Sequence, residues 1–360
     1  VTKQSLFSIA VVVATATGFS FIAVRNWAQS NEVNVQFHGF QDTRGVTVLS
    51  PTVELSQDYS DRTSLRLNFG VDAISAASDS CARCHREGVN SRRQDVGLSM
   101  TRKYDGFKLT LGGAYSQENF YRSTTGLTSV SRDLAGGNTT VAGGFTFSLN
   151  QPMLHPLPVR ENQYASNAYG SLTQTLTKTT IAQFGYELGR INGYQDNPFL
   201  RANVDGIMVL GQVPDTRTRQ TITARLRQAL PDETYLEADY RHYFDDWQVR
   251  SNALSVGVSH HFGSEWLANV SYRRYDQTGA YFYQPQYSGA IPLFFTADFR
   301  LEPFNSNNYT GKVAFTPSNQ WWWLPKGAGL TLQYERYQAD NGFQAAIVSA
   351  GLRMPLKLWR

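Results

Sequence analysis

The sequence predicts an all-β protein, a transmembrane antiparallel β-barrel of about 16 strands. Three observations predict it: an aromatic-rich yet hydrophilic composition, apolar/polar alternation at period two after residue 30, and connections that alternate between short and long. The 360 residues include 19 Tyr, 21 Phe and 7 Trp, with 17% charged residues and a net charge of +4. Mean hydropathy is negative, unlike that of a helical membrane protein. Aromatics mixed with Gly, Ser, Thr and Asn suit strands that face lipid on one side and water on the other. So small a net charge, with no Lys/Arg run, argues against a nucleic-acid partner.

At the N-terminus, Lys3 precedes an uncharged apolar stretch from Ser5 to Val24. This reads as a secretory signal over residues 1–30, expected to be cleaved. At about 20 residues the stretch is also long enough to span a bilayer, so a retained helical anchor is the alternative. Trp27-Ala28-Gln29 is a poor small-x-small cleavage site. Residues 31–360 then form the barrel.

Strand periodicity is clearest in the middle of the chain. Ile222, Ala224, Leu226 and Leu230 share one face, with Thr221, Thr223, Arg225 and Arg227 on the other. After the turn Leu230-Pro231-Asp232-Glu233, the apolar set is Leu236, Ala238, Tyr240 and Phe244, against Glu237, Asp239, Arg241 and Asp245. Period two selects strands, and the pairing places Arg225 and Arg227 opposite Glu237 and Asp239 as a charged ladder inside a water-filled barrel. Leu65, Leu67, Phe69 and Val71 repeat the pattern, as do Leu109, Leu111, Gly113 and Tyr115. Sixteen such segments fall near 33–43, 46–59, 63–77, 94–104, 107–121, 122–134, 138–150, 162–176, 179–194, 216–229, 233–247, 249–263, 265–283, 305–317, 328–339 and 343–358.

An even count puts both barrel ends in the periplasm. The turns Tyr59 to Thr63, Lys103 to Gly106, Ala135 to Asn138, Thr177 to Lys178, Pro231 to Glu233 and Gly263 to Ser264 are short; the opposite connections 78–93, 151–161, 195–215 and 284–304 are long. That asymmetry is the outer-membrane pattern. Residues 318–327 break it on the short side, and Trp321, Trp322 and Trp323 there read as an interfacial anchor. The chain closes on Leu356, Leu358 and Trp359, followed by Arg360.

One motif carries chemistry. The only two cysteines lie in Cys81-Ala82-Arg83-Cys84-His85. Cys-x-x-Cys-His is the attachment signature of a c-type heme: two thiols reach the vinyl groups on one porphyrin edge, and the next His turns beneath the iron. Cys81 and Cys84 are thus the expected thioether positions and His85 the proximal ligand of one covalent heme c, on a loop (78–93) between strands three and four. A disulfide leaves His85 without a role, a zinc site lacks a fourth ligand, and a thioredoxin-like motif lacks its βαβ context. The second axial ligand decides whether such a heme transfers electrons or binds a small molecule. Candidates are His155, in a loop on the same side, then His38, whose parity on strand one points inward, then Met153. His242 has lipid-facing parity, while His260 and His261 sit near the opposite end.

Several runs resemble an uncharacterised proteobacterial family of outer-membrane barrels, a domain of unknown function. They are Val48 to Thr52, Val71 to Ser78, Val213 to Arg219, Tyr240 to Trp247, and Tyr272 to Tyr275 with Ala280 to Tyr283. The resemblance covers most of residues 33–360 and implies the barrel and, loosely, a redox or cofactor-insertion gene neighbourhood, but no activity and no functional residues. The heme motif follows the shared Asp72-Ala73-Ile74-Ser75 run as if inserted there. A looser similarity is to fused cytochrome-porins of extracellular electron transfer, which carry the motif before the barrel.

These readings converge on the outer membrane of a Gram-negative bacterium. They favour a monoheme electron carrier working with a periplasmic or extracellular c-type cytochrome. The alternatives are an anchor for a multiheme cytochrome assembly and a passive porin with a structural heme. No nucleophile triad, phosphate loop or isolated carboxylate pair points to an enzyme.

Overall fold

The computed structural model describes residues 31–76, 89–154, 159–197, 200–319, 324 and 326–356. The signal segment, Trp321 to Trp323 and Leu358 to Arg360 lie outside the described residues.

Among the described residues there are nineteen strands. They are β1 (Glu32–Asp42), β2 (Val46–Ser60), β3 (Thr63–Ala76), β4 (Val89–Tyr104), β5 (Phe107–Glu118), β6 (Tyr121–Leu134) and β7 (Thr139–Leu154), then the two-residue β8 (Val159–Arg160). β9 (Gln163–Thr175) and β10 (Thr180–Gly193) precede a hairpin, β11 (Arg201–Val204) and β12 (Ile207–Leu210). The rest are β13 (Thr216–Ala229), β14 (Thr234–Asp245), β15 (Arg250–Phe262), β16 (Trp266–Gln277), β17 (Phe304–Phe315), β18 (Gly329–Ala339) and β19 (Gln344–Pro355). The β11–β12 hairpin is a separate sheet, and β8 pairs antiparallel with the end of β7 over two residues. The remaining sixteen strands pair antiparallel with their neighbours, and β1 pairs with β19 to close the barrel.

The register follows from the alternation. Arg225 stands opposite Asp239 and Arg227 opposite Glu237, as the periodicity predicts. Arg225 lies 3.3 Å from Asp239, and Arg227 lies 2.9 Å from Asp239 and 3.5 Å from Glu237. On the other parity Phe37, Leu67, Leu98, Phe145, Phe184, Leu226, Val256, Val270, Leu332 and Val348 are exposed on the outer surface. A soluble protein does not present such a continuous apolar girdle. On β15 the outward residues run from Leu254 through Val256 and Val258 to Phe262. The ten steps from Asn252 to Phe262, at about 3.3 Å each and tilted by about 40°, make a band near 25 Å tall, the hydrocarbon span of an outer-membrane barrel. Closure matters as much: with no free edge every strand amide is paired, the condition for crossing lipid. The protein is an outer-membrane β-barrel.

Both barrel ends lie on the same side, where the Leu356 amide donates to the Asn31 carbonyl. Tight turns close that side, including 61–62, 105–106 and 230–233; Asp232 and Glu233 take positive φ to make the last. The exception, 316–328, buries Leu324 and Ala328. The other side carries the long connections 77–88, 155–162, 194–215 and 278–303.

Candidate functional site

Strands β3 and β4 rise to the long-loop side and stay paired to their tips, Ala76 opposite Val89. The chain between them holds Cys81, Cys84 and His85, which lie outside the described residues, as does His155. What the structure describes is the lumenal wall beneath.

That wall has two tiers. The upper one is apolar: Val46 is fully buried and packs with Ile74, Phe40 and Val48. Their parity follows from the register, Phe40 opposite Val48 and Val48 opposite Ile74, on the inward face. The lower tier is polar. The His38 ring meets the Ser349 hydroxyl through Nδ1 at 2.8 Å and the Gln36 side-chain oxygen through Nε2 at 3.2 Å. Two strands away Arg93 pairs with buried Asp72 at 2.7 Å. Asp72 lies four residues below Ala76, about 13 Å along the strand.

A porphyrin needs an apolar wall for its faces and a ligand directed at its centre. Near the root of the motif-bearing connection, Phe40 and Val48 are the partly exposed members of the cluster over buried Val46 and Ile74, and His38 has the inward parity the alternation predicts. Both His38 nitrogens are engaged, so ligation would require release of one, and the longer bond to Gln36 is the weaker. Met153 carries the outward parity of Phe145 and Phe147, and its amide donates to the Phe120 carbonyl. His242 faces outward, bonded to Asn252, and His260 sits near the short-turn side on Thr234. Among the described residues no group of three or more His, Cys, Asp or Glu is placed to hold a metal ion.

Across the barrel the long-loop side is a folded cap that periodicity does not reveal. Trp247 in the β14–β15 turn packs with Val249, Ala280 and Phe282, and its indole donates to the Thr216 carbonyl at 3.0 Å. The β11–β12 hairpin joins the β16–β17 connection through Ala202, Val204, Tyr287 and Phe295. Backbone bridges pair Val204 with Tyr287 and Gln212 with Phe295. Buried Tyr287 holds four backbone groups with one hydroxyl: the Phe282 and Thr296 carbonyls and the Gln284 and Thr296 amides. Burial raises the Asp196 carboxyl to about 7, with nearby Asp298 adding to the rise and Arg300 and Arg201 opposing it. Asp298 in turn grips Arg300 through Nε at 2.8 and 2.9 Å and through Nη2. The closest sequence signal was the aromatic run Ala280 to Tyr283, which marks no partner by itself.

A family model described as a protein of unknown function, DUF3570, matches residues 155–347. The chain belongs to this family. The match takes in the runs at 213–219, 240–247 and 272–283 but not those at 48–52 and 71–78, so it is narrower than the resemblance read from the sequence. It also stops short of the Cys81 to His85 motif, on which family membership is therefore silent. No curated protein matches this DUF3570 chain. Among solved structures, the siderophore receptor PirA of Pseudomonas aeruginosa is similar at 12% identity and a TM-score of 0.46, over 87% of this chain and 57% of that one. The chain thus spans little more than half of that receptor's length. OccK1 (OpdK) of Pseudomonas aeruginosa aligns at 8% identity and 0.47, over 90% and 97% of the two chains. The CymD monoaromatic hydrocarbon channel aligns at 9% and 0.47, over 91% and 89%. No substrate passes from these proteins to this chain.

Proposed function

We propose that this barrel carries one covalent heme c on Cys81 and Cys84, with His85 as proximal ligand, and that it transfers electrons at the outer membrane with a partner c-type cytochrome. The carrying observation is the motif itself, which uses both cysteines of the chain and lies between two strands that end on the long-loop side. The apolar tier of Phe40, Val46, Val48 and Ile74 supports an inward seat, and His38 supports a second ligand from the lumenal wall, with His155 and Met153 as the other candidates. Such a heme supplies a one-electron iron couple whose potential the axial ligands set. The chain's own residues hold and orient it; none acts as a catalyst. One center does not bridge about 30 Å of hydrocarbon, so a cytochrome partner is part of the proposal.

A pyridine hemochrome spectrum of the purified full chain tests it. The expected result is one heme per barrel that resists acid-acetone extraction and disappears in Cys81→Ala/Cys84→Ala. A protein without covalent heme overturns the reading. With heme present and low-spin, His38→Ala or His155→Ala should convert it to high-spin; if neither does, both distal assignments fail. The polar, charged lumen favours a second reading, a passive porin in which the heme only steadies a loop. Open ionic conductance without electron transfer by proteoliposomes would select that reading.

A further inference from the structure

We infer that the β16–β17 connection is a strap laid across the mouth of the barrel, closing the lumen on the long-loop side, with Arg44 of the β1–β2 turn and Phe299 as its latch. The observation is where its contacts fall on the ring of strands. Phe295 exchanges two backbone hydrogen bonds with Gln212, at 2.9 and 2.8 Å, and Tyr287 bridges to Val204, so the connection is joined to the segment between β10 and β13. Four residues after Phe295, the Phe299 ring lies 3.7 Å from the Arg44 guanidinium, in the turn between β1 and β2. In the order of the sheet, eight barrel strands separate those two junctions on one side, β13 to β1 by way of β19, and eight on the other, β2 to β10. The junctions stand at opposite ends of a diameter.

Length decides between a path along the rim and one across the mouth. Strands about 4.8 Å apart and tilted by about 40° give sixteen of them a circumference of about 100 Å, hence about 50 Å along half the rim and about 32 Å straight across. Gln212 is four residues from Thr216, where β13 begins, and Phe295 is four from Phe299. Fully extended, those two segments, the ladder step between them and the Arg44 side chain reach about 40 Å. That suffices for the diameter and falls short of the rim. The strap is packed where it crosses: Phe295, Thr296 and Asp298 are buried, and a Cβ on Gly211 would lie 3.1 Å from both the Phe295 carbonyl and the Asp196 carboxylate. Near its own strands it is held by the Gln277 side-chain amide, which donates to the Arg300 and Glu302 carbonyls, and by Asn341, which donates to the Glu302 carboxylate at 2.6 Å. The two joins across the mouth are unlike. The Gln212–Phe295 seam is backbone, backed by the Tyr287 cluster. The far join is a side-chain stack of the cation–π kind, with the Phe343 ring 5.3 Å from the same guanidinium. A seam that stays and a latch that can release make a lid. The strap stands independently of the heme.

Planar-bilayer recording from the purified full chain tests this. The parent should rest at a low conductance with brief openings, and R44A or F299A should raise the time spent open about two- to fivefold, the scale of one exposed cation–π contact. Both residues act through one stack, so the R44A/F299A double variant should open no more than either single variant. R62Q is the control: Arg62 lies on the short-turn side, 3.5 Å from Asp105, and should gate as the parent does. The Cys81→Ala/Cys84→Ala barrel should also rest closed, which separates the strap from the heme-bearing connection as the obstruction. Heat-modifiable migration on gels verifies that each variant is a folded barrel. A parent that rests fully open, a heme-free barrel that opens fully, or latch variants that gate as the parent does would overturn the inference.

Discussion

Strands β13 and β14 carry arginine–aspartate contacts at two places within one hairpin, at its top and in its body, and these behave as different kinds of interaction. At the long-loop end Asp245 has a fully buried side chain and receives Arg217 through two nitrogens, at 2.8 and 2.5 Å. The same carboxylate accepts from the Tyr243 hydroxyl at 2.6 Å and the Val249 amide at 3.0 Å. Arg217 then lies 4.2 Å over the Trp247 ring, so the pair holds the cap down on the strands. Lower in the lumen Asp239 shares Arg225 and Arg227 in a ladder open to water, with side chains 25–42% exposed. Identical residue types thus fasten a loop in one place and line a channel in the other. Burial decides which.

The most damaging way to break that contrast is Asp245→Ala. Removing one partner of a buried, multiply bonded pair leaves an uncompensated charge, at a cost of about 3–5 kcal/mol. The loss should concentrate in the 246–249 turn and the 278–303 connection resting on Trp247, while the lower halves of β13 and β14 keep their amide protection. Hydrogen exchange resolved by peptide measures both. A loss below 1 kcal/mol, or one spread evenly over the barrel, would contradict the assignment.

Asp196 sharpens the same contrast by pH. Its carboxyl is raised to about 7 by burial, with Asp298 adding to the rise and Arg300 and Arg201 opposing it. The folded pKa lies above that of the unfolded loop, so the cap binds the proton more tightly than the open form does. Its contribution is complete below about pH 4 and is lost as pH rises to about 7, at up to about 1.4 kcal/mol per unit. Proteolysis of the 194–215 connection should therefore be slower at pH 5 than at pH 8, and Asp196→Asn should flatten the dependence. An unchanged slope in that variant would remove Asp196 from the account.

The body of the barrel was legible in the sequence because its physics is local. Inward and outward sets such as Arg225/Arg227 and Leu226 differ by one step along the strand, and the 230–233 turn fixes the pairing of the next strand from four residues. His38 could be assigned inward by the same counting. The cap was not legible. Asp196 meets Asp298 across some hundred residues of intervening barrel, and Trp247 reads as one more aromatic until Ala280 and Phe282 fold over it. The resemblance behaved similarly, with several quoted runs falling inside the matched 155–347 region and the Cys81 to His85 motif outside it.

The smallest expected effect completes the comparison. Arg227→Gln removes the 2.9 Å contact to Asp239 and the 3.5 Å contact to Glu237. Arg227 is 42% exposed, Asp239 keeps Arg225 at 3.3 Å and Glu237 keeps the Asn269 amide at 3.3 Å, so neither carboxylate is stranded without a partner. Water and the remaining arginine take up most of the loss, and the expected cost is below about 1 kcal/mol. Urea unfolding of barrels in lipid vesicles can resolve this against Asp245→Ala in the same hairpin. The size of the salt response separates the two further: raising ionic strength should erase the small Arg227 effect, because exposed pairs are screened within about 10 Å at 0.1 M. The Asp245 effect should persist, since water and ions do not reach that carboxylate. Equal costs for the two variants, or equal salt sensitivity, would mean that burial does not set the strength of these contacts.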